Sequence, residues 1–120
     1  MSNPFCHIEL HANNVETAKS FYSALFNWKL NDMQICDDHT YTMIDVGEGT
    51  GGGMLTNPIP DAPSHWLSYV QVENLAASTE KAKSLGATII QEPTEVPNFG
   101  SLSVISDPTG ATLGLWQPLG

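Results

Sequence analysis

The residues best suited to chemistry lie in one short stretch near the N-terminus, between Cys6 and His11. Apolar and polar residues alternate there, which predicts a β-strand that carries His7, Glu9 and His11 on one face. Such a row can ligate a metal ion, with His65 as a further ligand, or it can pair His7 as a base with Glu9 orienting it. Its members can also simply hydrogen-bond to one another along a polar pocket, and we favour this third interpretation.

Two helices and a series of strands must position these side chains. The spacing of apolar residues predicts helices over 15–26 and 75–85, with Asn14 and Asn74 as N-caps and Gly86 just after the second helix. Strands or extended segments are predicted over 6–11, 28–36, 41–46, 51–55, 67–72, 87–90, 101–105 and 111–116. The proline-containing segment 91–100 is predicted to be a loop, either a lid or, as we favour, a solvated connector.

The two halves of the chain repeat one pattern. Asn74 follows Asn14 by 60 positions, and Leu85 follows Leu25 by the same interval. We therefore predict one α+β domain over 1–120, built from two tandem βαβββ modules whose curved mixed sheets surround a cavity. Its parts are module one at 4–55, a proline-rich connector at 56–65 and module two at 66–118.

In each module the helix covers one face of the sheet, and the other face must meet the second module, another chain or a cavity. The alternation in the first strand predicts Cys6, Ile8 and Leu10 under helix one. It therefore predicts that His7 and Glu9 face the helix-free side, together with His11.

The charge balance narrows the functional classes. Thirteen acidic residues against four lysines give a net charge of −9, and the chain contains no arginine. A nucleic-acid or membrane-surface partner needs a basic patch, and a strongly anionic ligand is best held by arginine, so we expect a neutral or cationic small molecule. No apolar run is long enough to span a bilayer and no secretory signal is visible, so we expect a cytoplasmic protein. Cys6 and Cys36 are expected to be buried, reduced residues.

Glycines and aromatic residues supply further candidates. The run Gly51–Gly53 lacks the lysine of a phosphate loop, so it predicts close approach of a backbone or a ligand. Aromatic residues of module two are predicted near its inner face, where they line a ligand site or fill an interface; these residues are Trp66, Tyr69, Phe99 and Trp116. Phe21, Tyr22 and Phe26 on helix one are expected to serve core and dimer packing.

The order of these elements resembles the vicinal oxygen chelate superfamily, which includes glyoxalase I, extradiol dioxygenases, and fosfomycin and bleomycin resistance proteins. The resemblance extends over nearly the whole chain, although each motif alone is weak. The motifs that carry it are 6–10 (CHIEL), Asn14 with 21–28 (FYSALFNW), 85–87 (LGA) and 107–117 (DPTGATLGLWQ).

The resemblance implies where a divalent metal would bind, namely on the first and last strands of each module. Those positions fall on His7, on Gly53 or Met54, on Leu67 and on Gly114. Only His7 among them is a metal ligand of the usual kind, so we expect no metal or other cofactor. The expected ligand-binding residues are His7, Glu9, Met54, Leu67, Tyr69, Phe99, Gly114 and Trp116.

Three functional hypotheses follow. The first is a homodimeric small-molecule-binding protein of the glyoxalase/bleomycin-resistance type that works without a metal. The second is a metal-dependent enzyme, resembling glyoxalase I or an extradiol dioxygenase, that uses His7. The third is a structural or regulatory dimer with a filled cavity. The sequence leaves open whether the protein is an enzyme, and His7 and Glu9 are the candidate catalytic residues if it is.

Overall fold

The computed structural model describes residues 2–36, 39–59 and 61–119. The elements are β1 (Phe5–Ala12), α1 (Val15–Leu25), β2 (Lys29–Cys36), β3 (His39–Asp45), β4 (Gly52–Thr56), β5 (His65–Gln71), α2 (Leu75–Ser84), β6 (Thr88–Val96), β7 (Gly100–Ser106) and β8 (Thr112–Pro118). This order confirms the prediction of an α+β chain with two βαβββ modules. Two compact units divide the chain, one spanning His7–Leu67 and the other combining Met1–Cys6 with Ser68–Gly120.

In the unit His7–Leu67 the strands lie in the order β2-β3-β4-β1. β1 and β4 are parallel, whereas β2 and β3 pair antiparallel with their neighbours, so the sheet is mixed as predicted. Leu10, Ala12, Ile44 and Met54 form the core, and side chains of α1 such as Ala18 pack against it. Leu10 therefore lies on the helix side of β1, as the alternation predicts.

The other unit repeats this arrangement with the order β5-β8-β7-β6 and a parallel β5–β8 pair. Its core consists of Val72, Leu75, Ile105 and Leu115. The N-terminal residues belong to this unit, since the Gln71 amide donates a hydrogen bond of 3.0 Å to the Pro4 carbonyl. The half-buried Cys6 also lies here rather than under α1. Its thiol donates to the Tyr69 carbonyl at 3.7 Å, and burial raises its pKa. The side chain of Cys36 lies outside the described residues.

The helix caps confirm the predicted repeat. The side chains of Asn14 and Asn74 accept hydrogen bonds from the backbone amides of Thr17 and Ala77, both at 3.0 Å. Gly86 follows α2 with φ of +105°, a left-handed conformation that glycine adopts without steric cost. Neither helix in the described ranges is long and apolar enough to span a membrane.

The glycine-rich strand β4 confirms the predicted close approach. Gly52 pairs with Ile8 of β1, and a Cβ atom at Gly52 would overlap the Ile8 carbonyl. A larger residue would therefore push β4 away from β1.

The prediction of a loop or lid over 91–100 is wrong for 91–96 and holds only for the turn at 97–99. β6 continues to Val96, and a tight turn with Asn98 at φ of 71° leads into β7. Pro93 is tolerated because it falls in a register shift between Gln91 and Thr94, where the ladder with β7 is interrupted. β6 is also the last strand in its order, and edge strands are where proline is accommodated.

Candidate functional site

The polar row of β1 forms hydrogen bonds within itself, as we favoured from the sequence. Nε2 of His11 lies 2.7 Å from Oε1 of Glu9. Both residues are buried, with 8% and 9% of their surfaces exposed, while His7 is half-buried. The burial of the Glu9 carboxylate makes these bonds necessary, because a buried charge without partners is strongly destabilising.

Tyr41 on β3 forms a bridge between His7 and Glu9. Its hydroxyl donates to Oε2 of Glu9 at 2.8 Å and lies 2.6 Å from Nε2 of His7. The site is therefore a chain in the order His7, Tyr41, Glu9, His11. His7 and Glu9, which are poorly placed to contact each other directly, are connected through the phenol.

The protons available to these four side chains determine which group donates in each hydrogen bond. Tyr41 has a single hydroxyl proton, and it is donated to Glu9. Nε2 of His7 must then carry a proton and donate it to the Tyr41 oxygen. His11 donates from Nε2 to the other carboxylate oxygen. Both oxygens of Glu9 thus accept a hydrogen bond, from two different elements of the sheet.

Burial also sets the charge of His7. Desolvation lowers the pKa of its imidazole from the ordinary value of 6.5, and the nearby negative charge of Glu9 offsets this only in part. His7 is therefore neutral at neutral pH, which agrees with a single proton on Nε2. As a base it is weaker than an ordinary histidine.

His65, the further metal-ligand candidate, lies beside His11. The two rings meet edge to face with centroids 4.8 Å apart. Nδ1 of His65 is 3.0 Å from the carbonyl of Pro63, and so it donates to the backbone. His65 extends the polar row through ring packing with His11.

The register of β4 resolves the choice between Gly53 and Met54. Gly53 pairs with Glu9 in the parallel ladder and so shares its face. Met54 pairs with Leu10, is fully buried and belongs to the core beneath α1. Met54 must therefore be removed from the predicted ligand-binding set, because neighbouring residues in a strand point to opposite faces.

The predicted ligand-binding residues of module two differ in burial and in position. Leu67 and Tyr69 are buried, with 2% and 4% exposure, and Tyr69 pairs with Gly114. Trp116 is half-buried on the same face of β8 as Gly114. Phe99 lies in the β6–β7 turn and is 44% exposed. The structure thus brings Tyr69, Gly114 and Trp116 together on one helix-free face.

Trp66 does not belong to that group. It alternates with Leu67 and so points to the other side of β5, where its ring contacts Tyr22 and Trp28 at centroid distances of 5.5 and 6.4 Å. The prediction that Trp66 lies near the inner face of module two is therefore wrong. Trp66 instead belongs to an aromatic surface around α1, which we define by Phe21, Tyr22, Phe26, Trp28 and Trp66.

The donor atoms do not fit a divalent metal. Leu67, Gly53 and Gly114 offer no side-chain ligand, and the nitrogen of His7 that contacts Tyr41 carries a proton. In the described ranges 2–36, 39–59 and 61–119, no three His, Cys, Asp or Glu side chains form a group that could hold a metal ion. A site of three or four converging N, O or S ligands, as zinc and similar ions require, is not built by these residues.

Sequence reasoning missed Tyr41. The available signal was the pairing of a bulky residue with a glycine on a neighbouring strand, since a glycine within a strand often marks a place where another group approaches closely. Tyr41 and Gly53 lie on adjacent strands, with Met43 opposite Gly53 in the ladder. Finding the contact requires the register of three strands, which the sequence does not supply.

The comparison with protein families agrees with this architecture. The family model described as the Glyoxalase/Bleomycin resistance protein/Dioxygenase superfamily matches residues 5–115. The chain belongs to this superfamily. The resemblance inferred from the sequence motifs is therefore confirmed.

Among curated proteins, the chain is 32% identical over 110 residues to proteins named "Putative glyoxylase CFP32" from Mycobacterium bovis and Mycobacterium tuberculosis. The match takes in 92% of this chain and 42% of those proteins, so the chain spans less than half of their length.

Solved structures share the fold at low identity. A hypothetical protein from Bacillus halodurans, BH1468, has a TM-score of 0.73 with 15% identity, and covers 100% of this chain and 97% of its own. Methylmalonyl-CoA epimerase from Mycobacterium tuberculosis has a TM-score of 0.72 with 13% identity, covering 97% and 88%. These likenesses confirm the fold class.

We predict that Tyr41→Phe lowers the free energy of unfolding by about 1–3 kcal/mol, because Glu9 loses a hydrogen bond in a buried position. Urea unfolding followed by circular dichroism measures the change. Tyr22→Phe, which removes a phenol hydroxyl from α1 of the same unit, is the control. An equal and small effect of both variants would contradict the bridging role of Tyr41.

The lowered pKa of His7 predicts a pH dependence. The unfolded chain binds a proton to His7 more readily than the folded chain does, so stability falls as the pH drops below about 6.5. The urea midpoint should decrease more steeply between about pH 7.5 and 5.5 in the parent protein than in His7→Gln, whose amide can still donate to Tyr41. Identical slopes would contradict the assignment of a lowered pKa to His7.

Proposed function

We propose that the protein binds a small neutral or cationic organic molecule without the metal ion used by enzymes of its superfamily. The observation that carries this proposal is the hydrogen-bonded chain from His7 to His11. Nε2 of His7, the Tyr41 hydroxyl, both oxygens of Glu9 and Nε2 of His11 are hydrogen-bonded to protein groups, which supports a polar surface rather than a set of open metal ligands. The missing ligands at Gly53, Leu67 and Gly114 support the same conclusion.

Charge supports the preference for a cation. The Glu9 carboxylate is buried beside two imidazoles, of which His7 is neutral at neutral pH. The net charge of −9 and the absence of arginine make an anionic ligand unfavourable. The bleomycin-resistance branch, which this acidic chain resembles, sequesters a cationic drug.

The unit that contains Ser68–Gly120 has, by itself, an aromatic feature suited to an organic cation. Tyr69 and Trp116 share the helix-free face of the β5–β8 pair, and the face of an aromatic ring attracts organic cations. These residues favour a flat or ammonium-bearing molecule over a phosphate.

A metal-dependent enzyme is the second candidate. The name of the curated glyoxylase relatives favours it, and His7 would be its first-strand ligand. The epimerase structures share the fold at 11–13% identity and do not favour an epimerase, because the phosphates of a coenzyme A substrate would meet a chain without arginine.

We predict that chelator-treated protein is stabilised against heat by benzyltrimethylammonium or benzyl alcohol and not by benzoate, three probes that share one ring and differ in charge. Binding to the folded state raises the melting temperature by an amount that grows with the logarithm of one plus the ratio of the ligand concentration to Kd. Glu9→Gln should reduce the shift caused by the cation. Glu80→Gln, the same substitution at an exposed position on α2, is the control and should leave the shift unchanged.

The metal content of protein purified without chelator separates the two candidates. Stoichiometric metal together with turnover of hemithioacetals or catechols, and no shift with the probes above, would contradict the binding proposal and support the enzyme.

We further propose that a second copy of the chain covers the aromatic surface. Phe21, Phe26 and Trp66 are 57%, 44% and 41% exposed, and Leu25 beside them is 56% exposed. At about 150–250 Å² for each aromatic side chain, this is a patch of roughly 300–400 Å², the apolar centre of an ordinary interface.

The repeat shows that the fold does not require this surface. Lys81, Gly86 and Thr88 stand 60 positions after Phe21, Phe26 and Trp28, yet module two folds in the same way. None of the residues that define the patch is charged, and a symmetric contact of two copies would bury apolar groups against apolar groups.

We therefore predict that Leu25→Glu converts a dimer into a monomer, because it places a charge within the apolar interface. The matched control is Leu85→Glu, at the equivalent end of α2, where the side chain is 69% exposed. Light scattering coupled to size exclusion gives the mass of each. A monomeric parent protein, or dissociation by both variants, would contradict the assignment of the interface.

A further inference from the structure

We infer that the Tyr41 hydroxyl stands where a metal ion would bind between His7 and Glu9, and that the pair Tyr41 and Gly53 excludes metal from the first module. This inference rests on the proposed metal-free function and names the residues responsible for it. Neither family membership nor the named relatives assign a role to either residue.

The distances around the Tyr41 oxygen are close to those around a bound metal ion. The Tyr41 oxygen lies 2.6 Å from Nε2 of His7 and 2.8 Å from Oε2 of Glu9. Zinc bonds to nitrogen and carboxylate oxygen are about 2.0–2.2 Å long. A shift of about 0.6 Å at each donor would thus replace the phenol oxygen by an ion, and the two cannot occupy this position together.

The absence of a side chain at Gly53 makes room for the Tyr41 ring. Gly53 pairs with Glu9 on one side and with Met43 on the other, so it lies on the face of the sheet that the Tyr41 ring covers. A Cβ atom at Gly53 would overlap the hydroxyl, Cζ and Cε2 of Tyr41. A side-chain ligand at position 53 and the Tyr41 ring therefore exclude each other.

The other unit also contains a contact between a strand glycine and a tyrosine ring, but this tyrosine lies on a different strand of its module. A Cβ atom at Gly114 would overlap the ring of Tyr69, which lies on β5 directly opposite it. Tyr41 reaches Gly53 from the third strand of its module, whereas Tyr69 reaches Gly114 from the first. A tyrosine ring thus fills the space above the closing-strand glycine in both modules, from two unrelated positions.

The first experiment restores a metal site. In chelator-stripped protein, the double variant Tyr41→Ala/Gly53→Glu should bind Co²⁺ about tenfold or more tightly than the parent, detected by visible absorbance and calorimetry. Adding His7→Ala should abolish the gain. A folded double variant that binds no better than the parent overturns the inference while the metal-free proposal stands. Parent protein that binds Co²⁺ stoichiometrically through His7 overturns the proposed function itself.

The second experiment uses no metal and tests whether a side chain at position 53 and the Tyr41 ring exclude each other. It tests the inference even if the double variant does not fold. Gly53→Ala should lower the urea midpoint strongly in the parent and by less than half as much in the Tyr41→Ala background. Gly52→Ala, whose Cβ meets the backbone of Ile8, is the matched control and should cost the same in both backgrounds. An equal effect of Gly53→Ala in both backgrounds overturns the inference.

Discussion

A carboxylate removed from water needs hydrogen-bond donors from the protein, and Glu9 obtains them from two strands. His11 of the same strand serves one oxygen and Tyr41 of β3 serves the other. These bonds connect β1 to β3 across β4, so the face of the sheet opposite α1 is held by polar contacts as specific as the apolar core on its other side. The arrangement of His7 follows from the same contact, since its proton is directed to the Tyr41 oxygen.

The glycines of β4 and β8 leave room on the sheet for the groups that pack against them. A strand with two consecutive glycines is weak by itself, yet β4 gains a close parallel neighbour at Ile8 and an aromatic ring above Gly53. A tyrosine ring occupies the space where a side chain at Gly53 or at Gly114 would begin, each within its own unit.

Much of this fold could be predicted from local patterns. The alternation in β1 and the asparagine caps could be read because they depend on residues close together in sequence, and the recurrence of these local patterns after 60 residues identified both modules. Tyr41 and the exclusion of Met54 from the site could not be predicted, since both depend on the register of β4 between β1 and β3. The second half of β6, over 91–96, was missed because prolines suggest a loop, whereas an edge strand accommodates Pro93 in a break of its ladder.

The protonation state of His7 most directly tests its hydrogen bond to Tyr41, and long-range proton–nitrogen NMR spectra of the imidazole at neutral pH report it. We predict a neutral ring protonated on Nε2, unchanged by one equivalent of Zn²⁺, because that proton is donated to Tyr41. A ring protonated only on Nδ1, or a His7 signal that moves to a metal-bound position at one equivalent of Zn²⁺, would contradict it.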